Sequence, residues 1–303
     1  MVHKYPKIQQ TYSKYVNMLF EEGVEITEKL DGSQFRWGIV DGKLECHSKG
    51  KKLSLLNCDA IFKPAVKHIN GIKHKLLNHY NYYGETLAKS RHNVLTYKNV
   101  PENHIALFAI RDLDNDIFLT HEEVALVADS LDIDCVKLLY NGKLSQEEIV
   151  NKDEFLEKFV DNESQLGGTN MEGCVIKNFS RGMHAGGHDI PYFMQAKYVA
   201  DQFRERAKLP KNKQSPQAKW EAVINSYCTE ARWDKGIQHL KEEGVLKNSP
   251  KDIGVIIKEI YRDITEESKE EILDYLWKTF GNDLLKRSVS GFAPYYLKKL
   301  EGE

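Results

Sequence analysis

Thr27-Glu28-Lys29-Leu30-Asp31-Gly32-Ser33-Gln34-Phe35 sets a single lysine between a strand-like run and a glycine turn, two residues ahead of a carboxylate. Alone, a Lys-x-Asp-Gly string is an ordinary surface turn. A lysine held at the end of a strand beside an acidic turn, however, is unusual unless it has chemical work to do. Just beyond it, Asp41-Gly42 separates two runs rich in β-branched and aromatic residues. That pair tolerates the positive φ of a type I′ turn and predicts a hairpin.

Further strands are predicted over 35–40, 43–48, 80–85, 105–111, 136–140, 173–178 and 193–199, each short and bounded by Gly, Asp, Asn or Pro. Amphipathic helices are predicted over 121–130 and 145–160, the second opening on Ser145 with Glu148 three residues on, a capping box. The character changes near residue 205. Residues 208–216 are polar, basic and interrupted by Pro210 and Pro216, which reads as an exposed linker. Beyond it Trp220, Val223, Ile224 and Tyr227, then Ile253, Ile256, Ile257 and Ile260, then Ile272, Tyr275, Leu276 and Phe280 recur at helical spacing. The expected organisation is an α+β domain over 1–207, a basic linker over 208–216, and a small all-helical domain over 217–303.

The chain has 303 residues, 41% hydrophobic and 29% charged, as ordinary globular proteins do. No run reaches the apolar length of a membrane span, and Met1 to Lys7 lacks a signal-peptide core, so a cytoplasmic protein without a membrane partner is expected. Cys46, Cys58, Cys135, Cys174 and Cys228 are scattered and read as reduced thiols. The net charge of −2 hides local asymmetry. Lys49, Lys51 and Lys52 form one basic knot; Arg204, Arg206, Lys208, Lys211, Lys213 and Lys219 form another.

Four more motifs follow the lysine in order: Tyr83-Gly84-Glu85, the apolar run Ala106 to Asp112 around Phe108, Glu172-Gly173-Cys174-Val175-Ile176-Lys177, and Phe193-Met194-Gln195-Ala196-Lys197-Tyr198-Val199. Each is weak alone. Together, in order and spacing, they resemble the covalent nucleotidyltransferase superfamily of polynucleotide ligases and capping enzymes, and within it the ATP-dependent RNA ligases of the RNA ligase 2-like branch.

The resemblance covers the first two hundred residues and implies an ATP-grasp-like nucleotidyltransferase fold of antiparallel sheets. It implies catalytic roles for Lys29, Glu172 and Lys197, with Lys29 the nucleophile that takes AMP from ATP and Glu172 beside a Mg2+ or Mn2+ ion. It implies nucleotide contacts from Glu28, Asp31, Gly32, Lys49, Glu85, Phe108, Lys177 and Lys197. Phe108 would stack on adenine. Attack requires a neutral amine, and a free lysine is almost wholly protonated at neutral pH. Lys197 as a second cation, with partial desolvation, is expected to favour the neutral form of Lys29.

Departures from the family pattern also carry information. Gln34 stands where DNA ligases usually place arginine; a short amide there is the habit of nick-sealing RNA ligases, so Gln34 is expected to meet a 5′-phosphate. Ser48-Lys49-Gly50 replaces a motif that often holds arginine. Gln195 replaces the first lysine of a Lys-x-Lys pair, which removes one expected phosphate contact.

The function implied is joining of 3′-hydroxyl and 5′-phosphate RNA ends, at nicks in duplex RNA or RNA–DNA hybrids, by a monomer acting in the cytoplasm, the host's if the source is viral. The rivals are a DNA ligase, a capping guanylyltransferase and a non-catalytic nucleic-acid binder of the same fold. The helical periodicity after Trp220 argues against the first two, which place a β-rich domain there. His184 and His188 flank a glycine-rich segment and are expected on a mobile loop rather than around zinc.

Overall fold

The computed structural model describes residues 1–185, 188–190, 193–200, 203 and 216–300. The chain forms two compact units, Met1–Ser249 and Pro250–Glu303. In the first unit the order is β1 (Gln9–Gln10), β2 (Val24–Lys29), β3 (Ser33–Val40), β4 (Lys43–Ser48), β5 (Lys52–Leu53), α1 (Lys63–Gly71), β6 (Tyr80–Thr86), β7 (Ile105–Asp112), β8 (Ile117–Phe118), α2 (His121–Ser130) and β9 (Asp134–Cys135). There follow β10 (Leu138–Gly142), α3 (Gln146–Val150), α4 (Lys152–Val160), β11 (Gly173–Asn178), β12 (Met183–Ala185), β13 (His188–Ile190), β14 (Met194–Val199), α5 (Pro216–Ser226) and α6 (Glu230–Glu242). The second unit holds α7 (Ile253–Ser288) and α8 (Phe292–Leu300).

Two sheets dominate the first unit. One runs β1-β14-β11-β2-β10, antiparallel except for the β1–β14 pair. The other runs β5-β4-β3-β6-β7-β8, antiparallel, with β9 parallel beside β7. Because side chains alternate along a strand, each sheet separates its sequence onto two faces. On the first sheet Val24 and Ile26, Cys174 and Ile176, and Met194, Ala196 and Tyr198 share a core with Leu156 and Val160 of α4. The opposite face carries Glu25, Thr27, Lys29, Val175, Lys177, Gln195 and Lys197. On the second sheet Phe35, Trp37, Cys46, Tyr82, Ile105 and Leu107 pack against Ala65, Val66 and Ile69 of α1 and Val124 and Ala128 of α2.

The expected α+β architecture with antiparallel sheets and a helical C-terminal region is present. Asp41 and Gly42 both have positive φ, 50° and 71°, as a type I′ hairpin requires. Details differ elsewhere. The predicted helix over 145–160 breaks at Asn151, whose ψ of 32° ends α3 and opens α4. The strand predicted over 136–140 begins two residues later and is irregular between Leu138 and Tyr140. Where a loop was expected around His184 and His188, β12 and β13 form a two-stranded ladder. The predicted linker lies outside the described residues up to Pro216, which opens α5, and so do Arg204, Arg206, Lys208, Lys211 and Lys213.

Most of the second unit is the single helix α7. At 36 residues α7 is about 54 Å long, and Arg262 is paired along it with Glu259 and Glu266. No helix among the described residues is long and apolar enough to cross a membrane.

Candidate active site

Lys29 ends β2 and lies in register with Gly173, the first residue of β11. That register sets Glu172, one residue earlier, beside the lysine: Nζ donates to Glu172 Oε2 at 2.5 Å. Gly173 is required by close approach. A Cβ there would lie 2.2 Å from the Tyr198 carbonyl oxygen, a backbone atom of β14. On the other side of the lysine, Gly32 lets the turn into β3 pass against the second sheet, since a Cβ would meet Thr86 O at 2.7 Å and Glu85 Cγ at 2.8 Å.

These approaches bring together a pocket lined by Thr27, Glu28, Lys29, Val175 and Lys177 on the first sheet and Gln34, Glu85 and Phe108 on the second. Lys177 is buried, donates to the Phe108 carbonyl at 2.7 Å, and sits 6.0 Å from the Phe108 ring centroid. Burial lowers its pKa to about 8, against the pull of Glu25 and Cys135.

Three carboxylates crowd one ammonium. Burial opposes charge on Lys29, but Glu172, Glu85 and Asp31 outweigh it and hold its pKa well above the ordinary lysine value. Burial pushes Glu85 up to about 8, with Glu172, Glu242 and Asp31 adding to the rise and Lys29 opposing it. Burial likewise pushes Glu172 up to about 7, against Lys29 and Lys197. The expectation of a neutral Lys29 is therefore corrected. Nearby carboxylates hold the proton on, while Lys197 acts on Glu172.

The remaining predicted residues divide. Glu28 is buried, with its carboxylate accepting from Ser164 Oγ and, at 2.9 Å, from Gln165 N. It therefore anchors the loop after α4 while forming part of the pocket wall. Asp31 accepts from Val94 N and Leu95 N, both at 2.8 Å, and from Asn93 Nδ2 at 3.1 Å. Its carboxylate thus holds the 93–95 loop. Gln34 faces the pocket, whereas Lys49 is exposed just after β4 and is not part of the pocket wall. The basic knot is partly neutralised, since Lys51 pairs with Asp59 at 2.9 Å and Lys52 pairs with Glu45.

Sequence reasoning missed two features. Tyr5 and Ile8 form part of the pocket wall, and nothing in their local sequence signals it. A buried polar network also joins α6 to the turn after the lysine. Ser33 Oγ donates to Glu242 Oε1 and contacts His92 Nε2 at 2.8 Å, and Gln238 Nε2 donates to Ser33 Oγ at 3.1 Å and to Glu242 Oε1 at 2.8 Å. Among the described residues, His79, Asp112 and Asp114 also group closely enough to share an ion, at the end of β6 and β7 opposite Glu85.

The family model of the RNA ligases matches residues 22–191, more than half of the chain. No curated protein matches the chain. Among solved structures, an apo form of the Naegleria gruberi RNA ligase is similar at 17% identity and a TM-score of 0.50, and a form with AMP and Mn at 16% and 0.50. Each similarity covers 67% of this chain and 57% of the other, so this chain matches little more than half the length of those structures. At that identity the likeness is one of fold.

Proposed function

The chain belongs to the RNA ligase family, and from that premise we propose that it is an ATP-dependent RNA ligase whose nucleophile is Lys29. The carrying observation is the contact between Lys29 Nζ and Glu172 at 2.5 Å in a pocket that Phe108 and Lys177 also enter. Phe108 offers an aromatic face for adenine, and buried Lys177 offers a cation for phosphate.

Glu85 in the pocket wall and Glu172 at the lysine offer carboxylate oxygens, the hard donors that Mg2+ or Mn2+ takes. Such an ion, when bound, supplies charge neutralisation for the triphosphate and draws the carboxylates' field away from the lysine.

In the proposed reaction Lys29 Nζ gives up its proton, bonds to the α-phosphorus of ATP and expels pyrophosphate. AMP then passes from Lys29 to a 5′-phosphate end near Gln34, forming a mixed anhydride. A 3′-hydroxyl attacks that phosphate, the phosphodiester forms, and AMP leaves. Nicked RNA duplexes or RNA–DNA hybrids are the proposed substrates, acted on by a monomer in the cytoplasm. Residues 1–207 serve as the proposed adenylylation domain, and the basic linker with the helices of 217–303 is assigned to the nucleic-acid backbone.

The test is incubation with α-labelled ATP and a divalent metal. Label should stay on the wild type, be absent from Lys29→Ala, and move to RNA bearing a 5′-phosphate. Label on Lys29→Ala, or none on the wild type, overturns the reading. Label taken from GTP instead would assign capping chemistry. A panel of nicked duplexes, hybrids and single strands then ranks the substrates.

A further inference from the structure

The first eleven residues form a strap joining the two sheets at the pocket. At one end Val2 is buried, its carbonyl accepts from Arg36 Nη1 at 3.0 Å, and His3 N donates to Asn81 Oδ1 at 2.8 Å, so this end is held by β3 and β6. At the other end Gln9 and Gln10 pair with Ala196 and Lys197 of β14, and Thr11 N donates to Lys197 O at 3.3 Å. Between these ends Tyr5 and Ile8 form part of the pocket wall.

Tyr5 is the hinge-pin of the strap. Its ring meets Phe108 edge-on, with centroids 5.0 Å apart and planes at 81°, and lies 5.1 Å from Tyr83. Its hydroxyl donates to Gln195 Oε1 at 2.9 Å, while Gln195 Nε2 donates to the Pro6 carbonyl at 3.0 Å. Gln195 is fully buried and both ends of its amide are committed to the strap. A lysine could not do this. It has no acceptor for the tyrosine hydroxyl, and its charge would be buried without a carboxylate among these contacts. The strap and Gln195 both lie outside the 22–191 match.

We propose that Gln195 and Tyr5 are positioning residues for the nucleotide: Gln195 pins the strap, and Tyr5 fixes the Phe108 ring in the plane that receives the purine. The inference rests on the nucleotide pocket proposed above. Where a charged side chain would contact phosphate from β14, this chain has exchanged that contact for a preformed wall at the base. The consequence falls on nucleotide affinity rather than on transfer chemistry.

The test uses the full chain with Tyr5→Ala, Tyr5→Phe and Gln195→Lys, measuring ATP Kd calorimetrically, KM and kcat for labelling of Lys29, and thermal melting. Tyr5→Ala and Gln195→Lys should raise Kd and KM for ATP about tenfold, with kcat moving far less, as expected when an aromatic contact and its anchor are lost. Tyr5→Phe keeps the ring and should weaken ATP about two- to threefold through loss of the anchoring hydrogen bond. A cooperatively folded Tyr5→Ala that binds ATP as the wild type does, or that loses kcat at unchanged Kd, overturns the proposal. Should Tyr5→Ala not fold, Tyr5→Phe decides, and wild-type affinity in it is the overturning result. A wild type that binds ATP yet retains no label refutes the transfer reaction and leaves the strap judged on Kd; a wild type that binds no ATP overturns both.

Discussion

Gly173→Ala is the sharpest probe of how the site is built. The added methyl would stand 2.2 Å from Tyr198 O and 3.0 Å from Val199 Cα, where ordinary contact begins at 3.4 Å. The obstruction is the backbone of the neighbouring strand, so no side-chain rotation relieves it. The strand ends must part by about 1 Å, at a cost near the upper end of the roughly 1–3 kcal/mol seen for overpacking. A domain stable by about 5–15 kcal/mol survives that loss.

Glu172 is covalently next to the displaced residue, so its 2.5 Å contact with Lys29 moves too. A misplacement of about 1 Å at a reacting centre costs on the order of a hundredfold in rate. Urea unfolding and the single-turnover rate of label transfer to Lys29 measure the two effects together. Gly71→Ala, at the open end of α1 with nothing within 4 Å, is the control and should be neutral or stabilised by up to about 1 kcal/mol. A Gly173→Ala protein with wild-type urea midpoint and wild-type labelling would refute the register argument.

Three further outcomes are expected. Phe108→Ala should weaken ATP by about five- to a hundredfold in KM, the range for a lost base–aromatic stack, with kcat much less affected; the reverse pattern would place Phe108 in the chemistry instead. Lys177 has a folded pKa near 8 against an ordinary 10.5, so the folded chain releases this proton first. The cost of burying the ammonium is full below pH 8 and gone above pH 10.5, and the urea midpoint of the wild type should gain on that of Lys177→Met across this window. Parallel midpoints would contradict it. Asp31→Ala strips the acceptor from Val94 N and Leu95 N, so hydrogen exchange at those two amides should accelerate, with a stability loss of about 1–3 kcal/mol; unchanged protection would show that the loop is held from elsewhere.

The fold was legible where local chemistry and tertiary context agree. The span predicted over 173–178 coincides with β11, and that over 121–130 with α2, where a Thr120–Glu123 capping box marks the start. The helix α1 was not anticipated, because its buried face is only Ala65, Val66 and Ile69. Three apolar residues in nine make a faint periodicity, and it is packing under Phe35 and Trp37 that completes it.

The same division holds at the site. Lys29, Glu85, Phe108, Glu172 and Lys177 sit in motifs whose spacing is visible in the chain, and they converge on one pocket or its edge. Lys49 was grouped with them by charge, but charge does not specify direction, and it lies exposed outside the pocket wall. Tyr5 and Glu242 reach the site from 24 and 213 positions away from Lys29, separations over which no local pattern can report. The charge state of Lys29 was misjudged for a related reason. Lys197 and the three carboxylates all stand in the quoted motifs, but which of them governs the lysine is decided by spatial distance, and the carboxylates win.

The pairing of Lys29 with Glu172 also bears on chemical ageing. An ammonium has no lone pair, so a lysine kept protonated does not react with the carbonyls, isocyanates and acyl donors that modify free lysines. The carboxylates that hold this proton are also the proposed ligands of a divalent cation, whose arrival would weaken their hold. For the nucleophile proposed above, reactivity would thereby be confined to the moment when the proper electrophile has been delivered, and between turnovers the amine would be shielded by its own counter-ions.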